Sequence, residues 1–385
     1  MINVLIFTLL FVAIAVVFDF FCSSDIKKNN GEFLKISPKT ILGISLIILV
    51  PVLLVTFRST HTGVDTHAYL KFFEDRIYGG DYILYRLHQG HELLFYGISY
   101  FFWQNGCTRG AFFVFAFVSL FFSFLAIYRV SKVYNPFVMS LIFLIIFYHE
   151  CFNAMRQMNA VAIVFFAYTF VLSRNFVKFF LCVVVASLFH STALCALPLY
   201  FLYPLNTQYS LPLVKRVLIA FCFFLVAKPI FFDLLSTDVF ARYEKTYEGY
   251  GTDIGMVNAF KYFIVSCAPI IFLLFLFARN YTVHNETQKK EYIFLWSTVI
   301  VFSTIIFLRY LQNWLFRLGF YYQLGEFFLV GKICSKPVLE RRNLLNDFKF
   351  TIPDAIVLYY FIWSLYWNFM PIEAAALPNF TLMWE

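Results

Sequence analysis

Residues 111–128, AFFVFAFVSLFFSFLAIY, run for eighteen positions without a charged side chain. That length approaches the ~20 apolar residues with which a helix crosses a bilayer core. A helix apolar on every face belongs either to a membrane or to a large core, so this segment sets the fold class. It has company. Runs of the same character recur at 2–21, 41–57, 137–150, 157–173, 177–189, 191–206, 217–232, 260–278, 292–308, 314–333 and 353–370. The chain is 61% hydrophobic and only 14% charged, which leaves no polar stretch long enough for a soluble domain. The sequence therefore reads as an all-α, polytopic integral membrane protein, a single transmembrane domain over 1–385 with about twelve spans.

Segment 92–105, ELLFYGISYFFWQN, is short for a span and opens on Glu92. It reads as a re-entrant or interfacial helix, with a thirteenth span as the rival. Orientation follows from the basic residues. The loops 22–40, 129–136, 174–178, 207–216, 279–291 and 332–352 hold 18 of the 30 Lys and Arg, which makes their side cytoplasmic. The outer loops are then 58–91 and 233–259, and Arg58, Arg156, His190, Arg309 and Arg317 all fall at outer span ends. The opening MINVLIFTLLFVAIAVVF has neither a basic n-region nor a small-residue cleavage site, and reads as a retained first span. The eight cysteines are scattered without a Cys-x-x-Cys and read as small buried hydrophobes.

Charged groups beside apolar runs are costly, so their retention points to a polar path or site. The first outer loop begins FRSTHTGVDTHAYL: Arg58 can fork onto a phosphate, Asp65 can act as base, Tyr69 lies near, and Gly63 permits a tight turn. The plain alternative is a surface loop with an Arg–Asp pair. Glu92, at the mouth of an apolar segment, is a base candidate if burial raises its pKa; otherwise it marks the segment's end. His88-x-x-His91-Glu92 is not a zincin arrangement, because Gly90 interrupts the helix that would align the imidazoles. In HECFNAMRQMNA, Arg156 and Gln157 open a helix whose N-terminal amides plus a guanidinium suit an anion. Headgroup snorkelling would explain Arg156 but not the polar Asn153, Gln157 and Asn159 around it.

His190-Ser191 breaks the apolar run 177–206, where an imidazole can move protons, hold a phosphate or simply satisfy neighbouring carbonyls. Arg309 and Arg317 frame a polar patch between two spans. Tyr243 and Tyr247, interleaved with Arg242 and Glu244, suit sugar stacking or, equally, the headgroup level. No Walker loop, GxGxxG or Asp-x-Asp occurs. ATP-driven and nucleotide-sugar chemistry are therefore poorly supported, and no cofactor, metal or nucleic-acid partner is expected.

Arg58…Gly63-x-Asp65…Tyr69, then Glu92, then Arg156-Gln157-x-x-Ala160, then His190-Ser191-x-Ala193, resembles the EpsG/Wzy-type polysaccharide polymerases over residues 57–205. Asn159, where an apolar residue is usual, departs from the pattern. The resemblance implies polymerisation of undecaprenyl-diphosphate-linked repeat units at the outer face of a bacterial inner membrane. One lipid-linked oligosaccharide is the donor and another the acceptor, among membrane lipids, with a flippase and a chain-length regulator as further partners. On that reading Arg156 and Arg58 bind pyrophosphate, while His190 or Asp65 serves proton transfer and Glu92 is a weaker base. Tyr69, Gln157, Arg309, Arg317, Tyr243 and Tyr247 are candidate substrate contacts. A flippase for the same lipid and an O-antigen ligase are the rivals.

Overall fold

The computed structural model describes residues 2–26, 33–63, 65–74, 78–90, 92–205, 285–308 and 315–335, with the single positions 260 and 382. Among the described residues the chain is helical and forms no strand. Contacts group it into two compact units, Met1–Leu197 with Val330–Glu385, and Pro198–Leu329.

The first unit holds α1 (Ile2–Ile26), α2 (Pro38–Ile47), α3 (Leu49–Thr56), α4 (Thr66–Glu74), α5 (Tyr78–His88), α6 (Leu93–Gln104), α7 (Thr108–Val130), α8 (Pro136–Phe147), α9 (Glu150–Asn153), α10 (Met155–Leu172) and α11 (Phe176–Ser187). A 3-10 segment, Ser191–Ala196, follows α11. At the centre, α10 lies against α7 and α11, and α8 against α1. Aromatic rings join further helices of this unit: Phe18 of α1 meets Phe124 of α7 edge-on at 4.7 Å, and Phe143 of α8 stacks on Phe165 of α10 at 5.8 Å. In the second unit α12 (Leu199–Leu202) meets α13 (Glu286–Phe307) through Tyr203 and Phe294. Helix α14 (Phe316–Ile333) presses Gly325 so close to Thr298 of α13 that a Cβ there would collide with its hydroxyl.

Four described helices are long and apolar enough to cross a membrane: Leu5–Ile26, Thr108–Val130, Met155–Leu172 and Glu286–Phe307. The expected span 41–57 is broken instead. Helices α2 and α3 meet at Ile48 with a 51° bend. Pro51 explains it, since proline cannot donate to the carbonyl four residues earlier and its ring crowds that group. Counting the bent pair as one gives five spans among the described residues. The apolar stretches 137–150 and 177–206 depart from full spans too. Helices α8 and α11 have 12 residues each, about 18 Å of a core near 30 Å. His190 and the 3-10 segment replace the helix expected at 191–206. Residues 58–91, expected as an outer loop, include α4 and α5. The stretches 217–232 and 353–370, nearly all of 260–278, and the loop 233–259 lie outside the described residues.

Within the first unit the passes alternate, which sorts the connections into two ends. At one end Leu34 N–H donates to the Arg129 carbonyl, and Tyr128 Oη donates to Asp25 while accepting from Thr40. The Asn135 backbone N–H donates to the Gly331 carbonyl and its side-chain Nδ2 to the Cys334 carbonyl there, and Arg129 lies over Phe170 at 4.5 Å. These contacts gather parts of loops 22–40 and 129–136 and the start of 332–352 at one end of the unit. The opposite end collects Arg58, Glu92, Arg156 and His190.

Candidate functional site: a buried Glu–His–Arg cluster

Glu92 caps α6 from a left-handed backbone conformation, φ 42° and ψ 53°. Among the described residues only Arg174 shares a positive φ without being glycine. An L-residue there is strained by about 1–2 kcal/mol, so something must hold it. The holding contacts are tertiary. The first amides of α6, Leu94 and Phe95, donate to the Leu188 carbonyl at the end of α11 at 3.0 and 3.4 Å. His190 follows two residues later in extended conformation, its amide bonded to Ala186. The lock at Leu188 thereby brings Glu92 to His190.

The carboxylate is divided between two partners. Glu92 Oε1 lies 2.5 Å from His190 Nδ1, and Oε2 accepts from Arg156 Nη1 at 2.8 Å. The side chains of Glu92 and His190 are only 6% and 5% exposed, whereas that of Arg156 is 34% exposed. Arg156 stands in the first turn of α10, where a cation opposes the helix dipole; Glu92 offsets that cost. Its guanidinium also donates to Tyr96 Oη at 3.3 Å and lies over the Phe95 ring at 5.6 Å. Tyr69 meets the same Phe95 edge-on at 6.3 Å.

Burial by itself pushes the Glu92 carboxyl up, as the sequence leads one to expect. The charge of Arg156 and the hydrogen bond with His190 outweigh it and hold the group at about 2. Glu92 is therefore a permanent carboxylate at neutral pH and a poor proton acceptor, which corrects the expectation of a raised, base-like pKa. Burial also pushes the Tyr96 phenol up to about 12, Arg156 opposing, so it stays neutral.

Arg58, expected to grip substrate, faces inward and is 0% exposed. Its Nε donates to Thr66 Oγ1 at 2.7 Å, Nη1 to the Val55 carbonyl at 2.8 Å, and Nη2 to the Phe152 carbonyl at 3.3 Å. The Phe112 ring covers the guanidinium at 4.5 Å. Burial, then the charge of Arg109, lower its pKa to about 9, so it remains cationic at pH 7. Its own carbonyl accepts from Arg109 Nη1 at 2.7 Å. These bonds tie the loop after α3 to the residues just before Arg156. Gly63 shares that seam: its φ is 85°, and a Cβ would come within 2.7 Å of Asn153 Oδ1.

Asp65 is half-buried next to Thr66, and Gln157 is buried beside Arg156 in α10. Arg317 belongs to α14 in the second unit. Arg309, Tyr243 and Tyr247 lie outside the described residues. Reading the sequence alone missed Phe95, Tyr96 and Arg86. Tyr96 stands one helical turn after Glu92, so the i, i+4 spacing carried a signal for it. Arg86 carried none. Along α6, Leu93, Gly97, Ile98 and Phe101 with Val114 of α7 line an apolar groove of about 340 Å³.

Helices of this length and apolarity, closed over a charged cluster at one end, define a multi-pass membrane protein with a polar site. The EpsG family model matches residues 41–378, and the chain belongs to that family, the Wzy-type polysaccharide polymerases. No curated protein and no solved structure matches it.

Proposed function

We propose that this protein joins undecaprenyl-diphosphate-linked oligosaccharide repeat units into a surface polysaccharide, at the outer face of a bacterial inner membrane. The observation that carries the reading is the Glu92 carboxylate held between His190 Nδ1 and the partly exposed Arg156. Family membership supports a polysaccharide polymerase; the site suggests how one would work. An acceptor sugar hydroxyl attacks the anomeric carbon of the donor, the bond from that carbon to the phosphate oxygen breaks, and the lipid diphosphate leaves. The hydroxyl proton passes to His190 at Nε2.

Glu92 sets that direction. By accepting from Nδ1–H it selects the tautomer whose lone pair is on Nε2, and it stabilises the imidazolium that forms. Arg156 offers its fork to the departing diphosphate, in surroundings where a fixed cation acts more strongly than in water. The apolar groove on α6 begins at Leu93, next to Glu92, and suits a lipid tail. Arg58 is a positioning residue in this scheme, because its bonds to Phe152 and Thr66 fix the approach to α10. A flippase would supply the units and a chain-length regulator would limit the product.

The test is turnover of a lipid-linked repeat unit by the purified full chain. His190→Gln keeps a hydrogen-bonding group but cannot accept the proton, and should slow transfer about 10²–10⁴-fold at normal folded yield. Near-normal turnover would exclude His190 as the base. In cells lacking the protein, a single repeat on the glycan core is expected; a bare core would favour a flippase or ligase.

A further inference from the structure

Tyr96 Oη receives two cationic donors. Arg86 Nε of α5 lies 3.2 Å from it and Arg156 Nη1 lies 3.3 Å from it. The Arg86 guanidinium rests on the Tyr96 ring at 5.4 Å and the Tyr82 ring at 5.9 Å, and these two rings meet edge-on at 6.4 Å. Among the described residues no carboxylate comes within ion-pair distance of Arg86. The nearby carboxylate, Glu92, is already divided between His190 and Arg156. Two guanidinium groups thus face one neutral phenol, and among the described residues the cluster holds two arginines to one carboxylate.

Glu92 balances one of the two charges, and neither an aromatic face nor a phenol balances the other, so among the described residues the arrangement favours an anion whose oxygens can reach both guanidinium groups. A carboxylate has two oxygens and fills one fork, and a single phosphate must share its oxygens between two. A diphosphate engages both, each through parallel N–H donors. The geometry points to a two-guanidinium clip for a diphosphate, formed by Arg86 and Arg156 and held at that spacing by the Tyr96 hydroxyl. Arg86 is then a substrate-binding residue contributed by the outer segment between α3 and α6. Assigning the diphosphate to a lipid-linked glycan rests on the polymerase reading; the clip itself requires only the diphosphate.

The experiment uses the full chain in phosphatidylcholine nanodiscs, with inorganic pyrophosphate and inorganic phosphate as calorimetric probes. Arg86→Gln should weaken pyrophosphate at least tenfold while changing phosphate less than threefold. Unchanged pyrophosphate affinity, or an equal loss for both anions, would overturn the clip. Arg86→Lys keeps the charge without the fork and guards against misfolding of the first variant. Folded by thermal melting, it should lose threefold or more, and wild-type affinity would count against the proposal.

Adding phosphatidylglycerol separates the two sources of phosphate. Pyrophosphate binding that persists supports a diphosphate site, whereas its abolition would identify a lipid-headgroup site and overturn the proposal. In transfer assays Arg86→Gln should raise KM for the lipid-diphosphate donor at least tenfold with kcat within threefold. A loss confined to kcat would again overturn it. If the wild-type protein consumes no lipid-linked donor, the polymerase reading fails, and the pyrophosphate titration still decides the clip.

Discussion

Arg58 and Arg156 look alike in the sequence: each stands beside an apolar run within a polar cluster, at the same end of the helices. The fold gives them opposite surroundings. Arg58 is closed on all sides, with its donors on carbonyls and a hydroxyl and an aromatic ring over its plane. Arg156 keeps a third of its side chain exposed and pairs with a carboxylate that also holds a histidine. A buried cation saturated by protein acceptors organises chain. One that shares its counter-ion and still meets solvent can exchange that partner for a substrate.

The same substitution at both positions separates these roles. Arg156→Lys keeps the charge and loses the planar fork, so transfer should fall roughly 10²–10³-fold with the melting temperature unchanged. Arg58→Lys leaves buried carbonyls without donors, which should cost about 3 kcal/mol of stability. Its turnover per folded molecule should stay within a few-fold of wild type. Turnover normalised to folded protein and melting in detergent read both quantities. A catalytic loss without a stability loss at Arg58 would erase the distinction.

The next effect sharpens the comparison by pH. The folded-state pKa of Glu92, about 2, lies below the ordinary value of 4.5. Its contribution to stability is thus fully present above pH 4.5 and is lost as the pH falls through about 2. The size is on the order of 3 kcal/mol. Wild type and Glu92→Gln should therefore differ most in melting temperature above pH 5 and converge on acidification. A gap independent of pH would mean that Glu92 stabilises through packing and not through its charge.

The smallest effect belongs to the other end of the molecule. Tyr128→Phe removes the hydroxyl that bridges Asp25 and Thr40, and should cost about 1 kcal/mol. Turnover per folded molecule should not change, because that end is remote from Glu92. A drop in turnover would show that the two ends are coupled through α7.

How far the site was legible depended on the kind of signal. Arg156 and His190 stood out because a polar group interrupting an apolar run is a local anomaly. Glu92 was visible for the same reason, but its expected pKa had the wrong direction: burial was legible, and the two partners opposing it were not. They lie 64 and 98 residues away along the chain. Arg86 sits in a mixed, amphipathic stretch where an arginine is unremarkable, so only its contact with Tyr96 singles it out. Helix lengths behaved similarly. The break at His190 was legible in the apolar run 177–206, but the shortness of α11 and the 3-10 segment after it were not; α6 docks on the Leu188 carbonyl at that break.

The sequence by itself determined a helical membrane protein of the EpsG family, and singled out Arg58, Glu92, Arg156 and His190 as polar residues beside apolar runs. Those properties follow from transfer free energies and residue order, which composition and spacing record directly. Tertiary structure alone decided which arginine is sealed inside, which carboxylate fixes the histidine, and which strained backbone presents it. Each of those is set by partners distant in sequence and by the sum of burial and charge at one point in space, and no local pattern contains that sum.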